Sequence, residues 1–128
     1  MHLDHIGIAT DQGDELADLF GELFHARVAH EEEFDGLWVT FLEIDGAYLE
    51  LLEPLEADST IGRYLTDHGP GLHHVALATT DIEGALEVAR ENDVNLIDDE
   101  PRPGAWGHEV AFLHPESTGG VLVEFVAH

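Results

Sequence analysis

At 128 residues the chain has room for one domain but not for two independent cores, and its 44% hydrophobic content allows a proper core. Cysteine is absent, which excludes disulfides, thiolate catalysis and thiolate metal ligation and leaves any metal site to His, Asp and Glu. The charge is extreme: 28 acidic residues against 4 arginines give a formal net charge of −24, which excludes nucleic acid and anionic membranes as partners.

The acids are scattered over predicted helix faces and loops. That pattern favours adaptation to molar salt, where the Debye length is about 3 Å, over a dedicated acidic docking module. No apolar run is long enough for a transmembrane helix. The opening "MHLDHIGIATDQGDE" has neither a basic region nor a signal-like apolar segment, so a soluble cytoplasmic protein is expected.

In chain order, "LDHIGIA" reads as a strand, and Thr10 or Asp11 is a credible N-cap for the helix that follows. Leu16, Leu19, Phe20 and Leu23 recur there at helical spacing. Two strand-like runs come next, "LWVTFLEI" and "AYLELLEP", with Gly46 at the turn between them. A connector, "PLEADSTIGRYLTDHGPG", carries a short helix capped by Ser59 and ended by Gly69, with Pro54 and Pro70 on either side. The strand "LHHVALA" then opens a second cycle. Thr80 or Asp81 caps a helix with Ile82, Ala85, Leu86 and Ala89 on its apolar face, and "EVAFLHP", "STGG" and "VLVEFVAH" follow.

Laid with His5 over His74, the two halves correspond: each reads β-α-β-β-β. The predicted fold is therefore α+β, with two βαβββ modules in one chain. Module one covers about 1–54, the connector about 55–70, and module two about 71–128.

Strand alternation places His5, Gly7 and Ala9 on one face, and likewise His74, Ala76 and Ala78. The small neighbours leave open volume beside each histidine. Late in each module a glutamate sits in an apolar run: Glu50 between Leu49 and Leu51, and Glu124 between Val123 and Phe125. Burying a carboxylate there is costly unless it is paired or binds a metal. Singly, a strand histidine is commonly a satisfied core residue and a strand glutamate a solvent-facing one, and Glu53 competes with Glu50. Jointly, four such residues obeying the repeat point to one metal site made of His5, Glu50, His74 and Glu124. Two imidazoles and two carboxylates would fit cobalt, manganese, nickel or zinc.

Other histidines carry less. His73 points away from His74 and reads as structural, as a hydrogen-bond donor behind the ligands, or as surface; His108 and His114 suit turns and strand ends, with substrate contact as an alternative. His2, His25, His30, His68 and His128 read as exposed. Arg63 and Arg102 are the candidate phosphate contacts, with surface ion pairing as the competing role.

The paired βαβββ pattern, with His early and Glu late in each copy, resembles the vicinal oxygen chelate superfamily, which includes glyoxalase I, extradiol dioxygenases and bleomycin-resistance proteins. The segments "DHIGIAT", "ELLEPLEADSTIGRYL", "GPGLHHVAL" and "FLHPESTGGVLVEF" are similar, along nearly the whole chain, to the methylmalonyl-CoA epimerase family. The resemblance implies a cup-shaped, mostly antiparallel sheet around the metal, a homodimer, and an acyl-CoA as the small-molecule substrate. It matches His5, His74 and Glu124 to the family's metal ligands. Position 50 falls on a further inward position that is Gln in some members, which leaves open whether Glu50 ligates directly, ligates through water or acts as a base.

The implied reaction is epimerisation of (R)- and (S)-methylmalonyl-CoA by α-proton abstraction through a metal-stabilised enolate. Glu50 and Glu124 are the candidate acid and base, and Glu31, Glu32 or Glu33 of "HEEEFDG" an alternative source of the base. Two other readings remain: a glyoxalase-type isomerase, and a metal-free small-molecule binding protein of the bleomycin-resistance type. An extradiol dioxygenase fits less well, because its iron site would need only one carboxylate.

Overall fold

Both histidine-bearing stretches form strands in the computed structural model, which describes residues 1–128. The elements are β1 (His2–Ala9), α1 (Gly13–Phe24), β2 (Arg27–Phe34), β3 (Leu37–Ile44), β4 (Ala47–Pro54), α2 (Thr60–His68), β5 (Gly71–Ala78), α3 (Ile82–Glu91), β6 (Arg102–Pro103), β7 (Glu109–Leu113) and β8 (Val123–Ala127). The α+β class and the twofold β-α-β-β-β order are those expected. The chain divides into two compact units, Met1–His5 with His74–His128, and Ile6–His73, so it passes from one to the other inside β1 and at the start of β5. No helix is long and apolar enough to cross a membrane.

In the unit formed by Ile6–His73, β2, β3 and β4 make an antiparallel meander. The turns between them use left-handed residues, Asp35-Gly36 and Asp45-Gly46, as two-residue hairpins require. One irregularity changes which side chains share a face. A bulge between Val28 and His30 shifts the register, so that Val28 pairs with Leu42 but His30 pairs with Phe41. Without it, His30 would share Val28's face; with it, His30 and Glu32 are re-aimed to the face of Phe41 and Glu50.

α1 departs from expectation at both its start and its face. Its N-cap is Gln12, which lends no side chain; Thr10 Oγ1 instead accepts from Gln12 N–H, and Glu53 Oε1 accepts from Gly13 N–H. Of the predicted apolar set, Leu16 and Phe20 are half-buried while Leu19 and Leu23 stay largely exposed. α2 is as expected: Ser59 Oγ accepts from Gly62 N–H, and Gly69 closes the helix.

In the other unit the strand order is β5-β8-β7-β6, with β5–β8 parallel and the remaining pairs antiparallel. α3, capped by the Asp81 carboxylate on Gly84 N–H, buries Ile82, Ala85, Leu86 and Ala89 against Ala111, Leu113 and Phe125. The apolar stretch after α3 makes only one bridge, Leu96 to Leu113, and the strand at this place in the module is the two-residue β6. Covering one face with α3 leaves Val75 and Leu77 of β5, Ala111 and Leu113 of β7, and Val123 and Phe125 of β8 on the helix side. Alternation then turns His74, Ala76, Phe112 and Glu124 to the opposite face, where the register lines Ala76, Glu124 and Phe112 into one row.

Candidate metal centre

Three of the four expected ligand residues lie in that second unit, and they converge. His5 on β1, His74 on β5 and Glu124 on β8 are all buried, and their ligand atoms lie within 4.8 Å of one another. His5 Nε2 is 3.2 Å from His74 Nε2 and 3.0 Å from Glu124 Oε1; His74 Nε2 is 3.8 Å from the same oxygen. The His74 ring meets the His5 ring edge-on and packs edge-on against Phe112, so the face is walled by an aromatic and by the small side chains of Ala76 and Ala78.

The protons of this cluster can be traced. His5 Nδ1 donates to Asp4 Oδ2 at 2.7 Å. In a neutral imidazole that leaves a lone pair at Nε2, aimed at the centre of the cluster. A proton shared between the two imidazoles would satisfy both nitrogens, yet Glu124 Oε1 is buried and accepts no hydrogen bond. An orphaned carboxyl oxygen beside two imidazole nitrogens is a donor set that a divalent cation satisfies at all three atoms, and two imidazoles with one carboxylate is a common ligand chemistry for such ions.

Asp4 is itself buried. Burial works to raise its carboxyl, but hydrogen bonds from His5 and His128, together with their charge, outweigh it and hold the group below the ordinary carboxylate range. Asp4 was not singled out from the sequence. Adjacent strand residues normally face opposite ways, so alternation gives no reason to pair Asp4 with His5; the available signal was an acid beside the histidine of "LDHIGIAT".

Glu50 is buried in the middle of β4, within the Ile6–His73 unit. It pairs across the strands with Phe41, which pairs in turn with His30, and the shifted register puts Glu32 on this same face. Glu31 and Glu33 alternate to the other face. Glu32 Oε1 sits 3.1 Å from His30 Nε2, and both side chains are half-buried, so His30 is not the exposed residue its sequence context suggested. Glu53, the competitor of Glu50, is taken up at the start of α1.

The remaining candidates take structural places. His73 is half-buried and meets the Tyr64 ring edge-on. His114 Nδ1 accepts from Glu116 N–H in a turn, and His108 stacks against Trp106. Arg102 pairs with Asp98 and lies over the Phe112 ring, 5.3 Å from its centroid, whereas Arg63 is exposed on α2.

Residues 4–112 match the model of the glyoxalase/bleomycin resistance protein/dioxygenase superfamily. The uncharacterised protein YqjC of Bacillus subtilis is 38% identical over 95% of this chain and 89% of its own length. The mitochondrial methylmalonyl-CoA epimerase of Dictyostelium discoideum is 36% identical over 95% of this chain and 75% of its own. Among solved structures, a variant of the Streptomyces coelicolor methylmalonyl-CoA epimerase in complex with 2-nitronate-propionyl-CoA has a TM-score of 0.93 and 35% identity, covering 99% of this chain and 94% of that one.

Proposed function

Because the chain belongs to the glyoxalase/bleomycin resistance protein/dioxygenase superfamily, we propose that it is a metal-dependent epimerase of methylmalonyl-CoA. The observation that carries this reading is the orphaned carboxylate oxygen of Glu124 beside two buried imidazole nitrogens, in a chain whose relatives include methylmalonyl-CoA epimerases. A metal-free binding member of the superfamily would hold no stoichiometric metal, and the convergence of His5, His74 and Glu124 argues against that reading.

His5, His74 and Glu124 would hold the ion, with cobalt the preferred identity and Glu50 the fourth ligand by its place in the repeat. A divalent cation bound there supplies Lewis acidity to a thioester carbonyl, which lowers the cost of the negative charge left when the adjacent carbon loses its proton.

The chain's own residues do the rest. Epimerisation needs one group to take the proton from C2 and another to return a proton to the opposite face. The repeat equates Glu50 with Glu124, and the two would exchange base and acid roles with the stereoisomer bound. Burial keeps bulk water away from both carboxylates, which strengthens their interaction with the reacting carbon. A second assignment puts Glu32 in place of Glu50. It is favoured by the bulge that turns Glu32 to Glu50's face and by the His30 imidazole that accompanies it. A homodimer and a host living in high salt complete the proposal.

The test is α-proton exchange. Cobalt-loaded protein in concentrated KCl is incubated with one methylmalonyl-CoA epimer in deuterated buffer, beside a chelated control. Deuterium entry with conversion to the other epimer, lost on chelation, is the expected result. Glu50→Gln and Glu32→Gln then separate the two base assignments, because only the true base stops exchange with one epimer. A folded, cobalt-bound protein that exchanges no proton overturns the epimerase reading and moves attention to hemithioacetal substrates.

A further inference from the structure

Asp4 has two partners. Oδ2 receives the Nδ1 proton of His5, and Oδ1 faces Nε2 of His128. The two oxygens of one buried carboxylate therefore join a candidate ligand to His128, which lies 124 positions from Asp4 in sequence. We propose that His128 and Asp4 are positioning residues for His5: His128 holds the Asp4 carboxylate, and Asp4 holds the His5 ring in the Nδ1-protonated form that presents a bare Nε2 to the cation. This rests on the reading of His5 as a metal ligand.

His128 is held in turn. Continuing the alternation of β8 puts it on the face of Glu124 and Val126. Its ring lies 3.9 Å from that of His108, and His108 stacks on Trp106 at 5.5 Å. The turn bearing these rings is closed by Gly104 N–H on His108 C=O. Inside it Trp106 and Gly107 both lie in the left-handed region, at φ 61° and 70°. A bulky residue there is a genuine outlier, and such strain persists only where surrounding structure enforces it. The conformation brings the indole onto His108, so the rings Trp106, His108 and His128 form a column that ends on Asp4.

The need for such a brace follows from imidazole chemistry. Free neutral histidine prefers its proton on Nε2, the tautomer that would point a hydrogen at the ion. A carboxylate on Nδ1 reverses that preference and fixes the ring plane, and loss of partners of this kind commonly weakens metal binding about 10–100-fold. The Asp4 carboxylate, pinned at only one oxygen, could rotate; the His128 bond removes that freedom.

The experiment uses the full chain without metal, at a pH above the ordinary imidazole range. Long-range proton–nitrogen correlation spectra give the tautomer of His5, and Co2+ titration followed by visible absorption gives Kd. Wild type is expected to show His5 protonated on Nδ1. His128→Ala is expected to populate the Nε2-protonated form and to weaken Co2+ binding by about tenfold. His128→Gln, which restores an N–H donor, should recover both, and His108→Ala should fall between.

Wild-type tautomer populations and Co2+ affinity in His128→Ala would overturn the proposal. So would His128→Gln behaving like His128→Ala, because the donor would then not be what matters. If wild type takes up no Co2+, the metal-site reading falls by itself, and the tautomer spectra still decide whether His128 and Asp4 set the His5 ring.

Discussion

Changing Glu124 to Gln separates a cation site from an internal ion pair. In chelated protein the wild-type chain buries a carboxylate oxygen that accepts no hydrogen bond. An unsatisfied buried acceptor of this kind costs about 1–3 kcal/mol. Gln keeps the shape and brings an amide N–H within reach of His5 Nε2, 3.0 Å from the present oxygen. The chelated variant is therefore expected to be more stable than chelated wild type by about 1–3 kcal/mol.

With an unfolding entropy of about 2.1 cal/mol/K per residue over 128 residues, each kcal/mol moves Tm by about 4 °C. The expected rise is thus about 4–11 °C. Co2+ at about a thousand times Kd reverses the order. Wild type gains about 4.1 kcal/mol, or about 15 °C, while the variant, short of a ligand, gains little. Thermal melts by circular dichroism in concentrated KCl, with chelator and with Co2+, read both arms. A chelated Glu124→Gln protein melting below wild type would refute the reasoning, because Glu124 would then be the partner of a protonated imidazole.

Three further outcomes are expected. Gly62→Ala in α2 should destabilise by about 1–3 kcal/mol, although Ala ordinarily favours a helix by about 1 kcal/mol, because the added Cβ would lie 2.4 Å from Ala57 O and 2.7 Å from Glu56 O; a raised Tm would contradict this packing. The depressed Asp4 pKa adds stability that is present above the unfolded carboxylate value, about 3.9, and is lost as pH falls through the lower folded value. Asp4→Asn should therefore flatten the acid limb of a stability–pH profile while leaving its slope near neutrality unchanged, and an unaltered limb would remove that account. Finally, a chain of net charge −24 repels anionic acyl-CoA, so KM should worsen as KCl is lowered; a flat salt response measured on folded protein would count against electrostatic exclusion.

Much of this arrangement could be read from residues alone where a local rule has a chemical cause. Ser59, Asp81 and Gly69 act as caps because their side chains or backbone freedom serve helix ends. The histidines and late glutamates stood out because burying them in apolar strands has a cost that demands a partner. What escaped depends on backbone detail or on distant chain. The bulge at Ala29, which selects Glu32 over its two acidic neighbours, has no side-chain signature. The start of α1 was misplaced because Glu53, forty positions on, supplies the acceptor that Thr10 or Asp11 was expected to give. Asp4 and His128 could not be joined by periodicity at all, since only the folded strands bring them together.

The division of the chain inside β1 bears on how the protein is made. The first five residues pack with His74–His128, so the start of β1 has nothing of its own unit to rest on until the far half of the chain exists. Its parallel partnering elsewhere in that unit, β5 with β8, likewise waits for a crossover through α3 and β7. Such non-local pairing slows folding, because loop-closure entropy is lost before any contact compensates it. A growing polypeptide that exposes His5 and His74 still lacks Glu124, which stands on the last strand. The order of residues along the chain thus brings the three candidate ligands together only when nearly every strand has been synthesised.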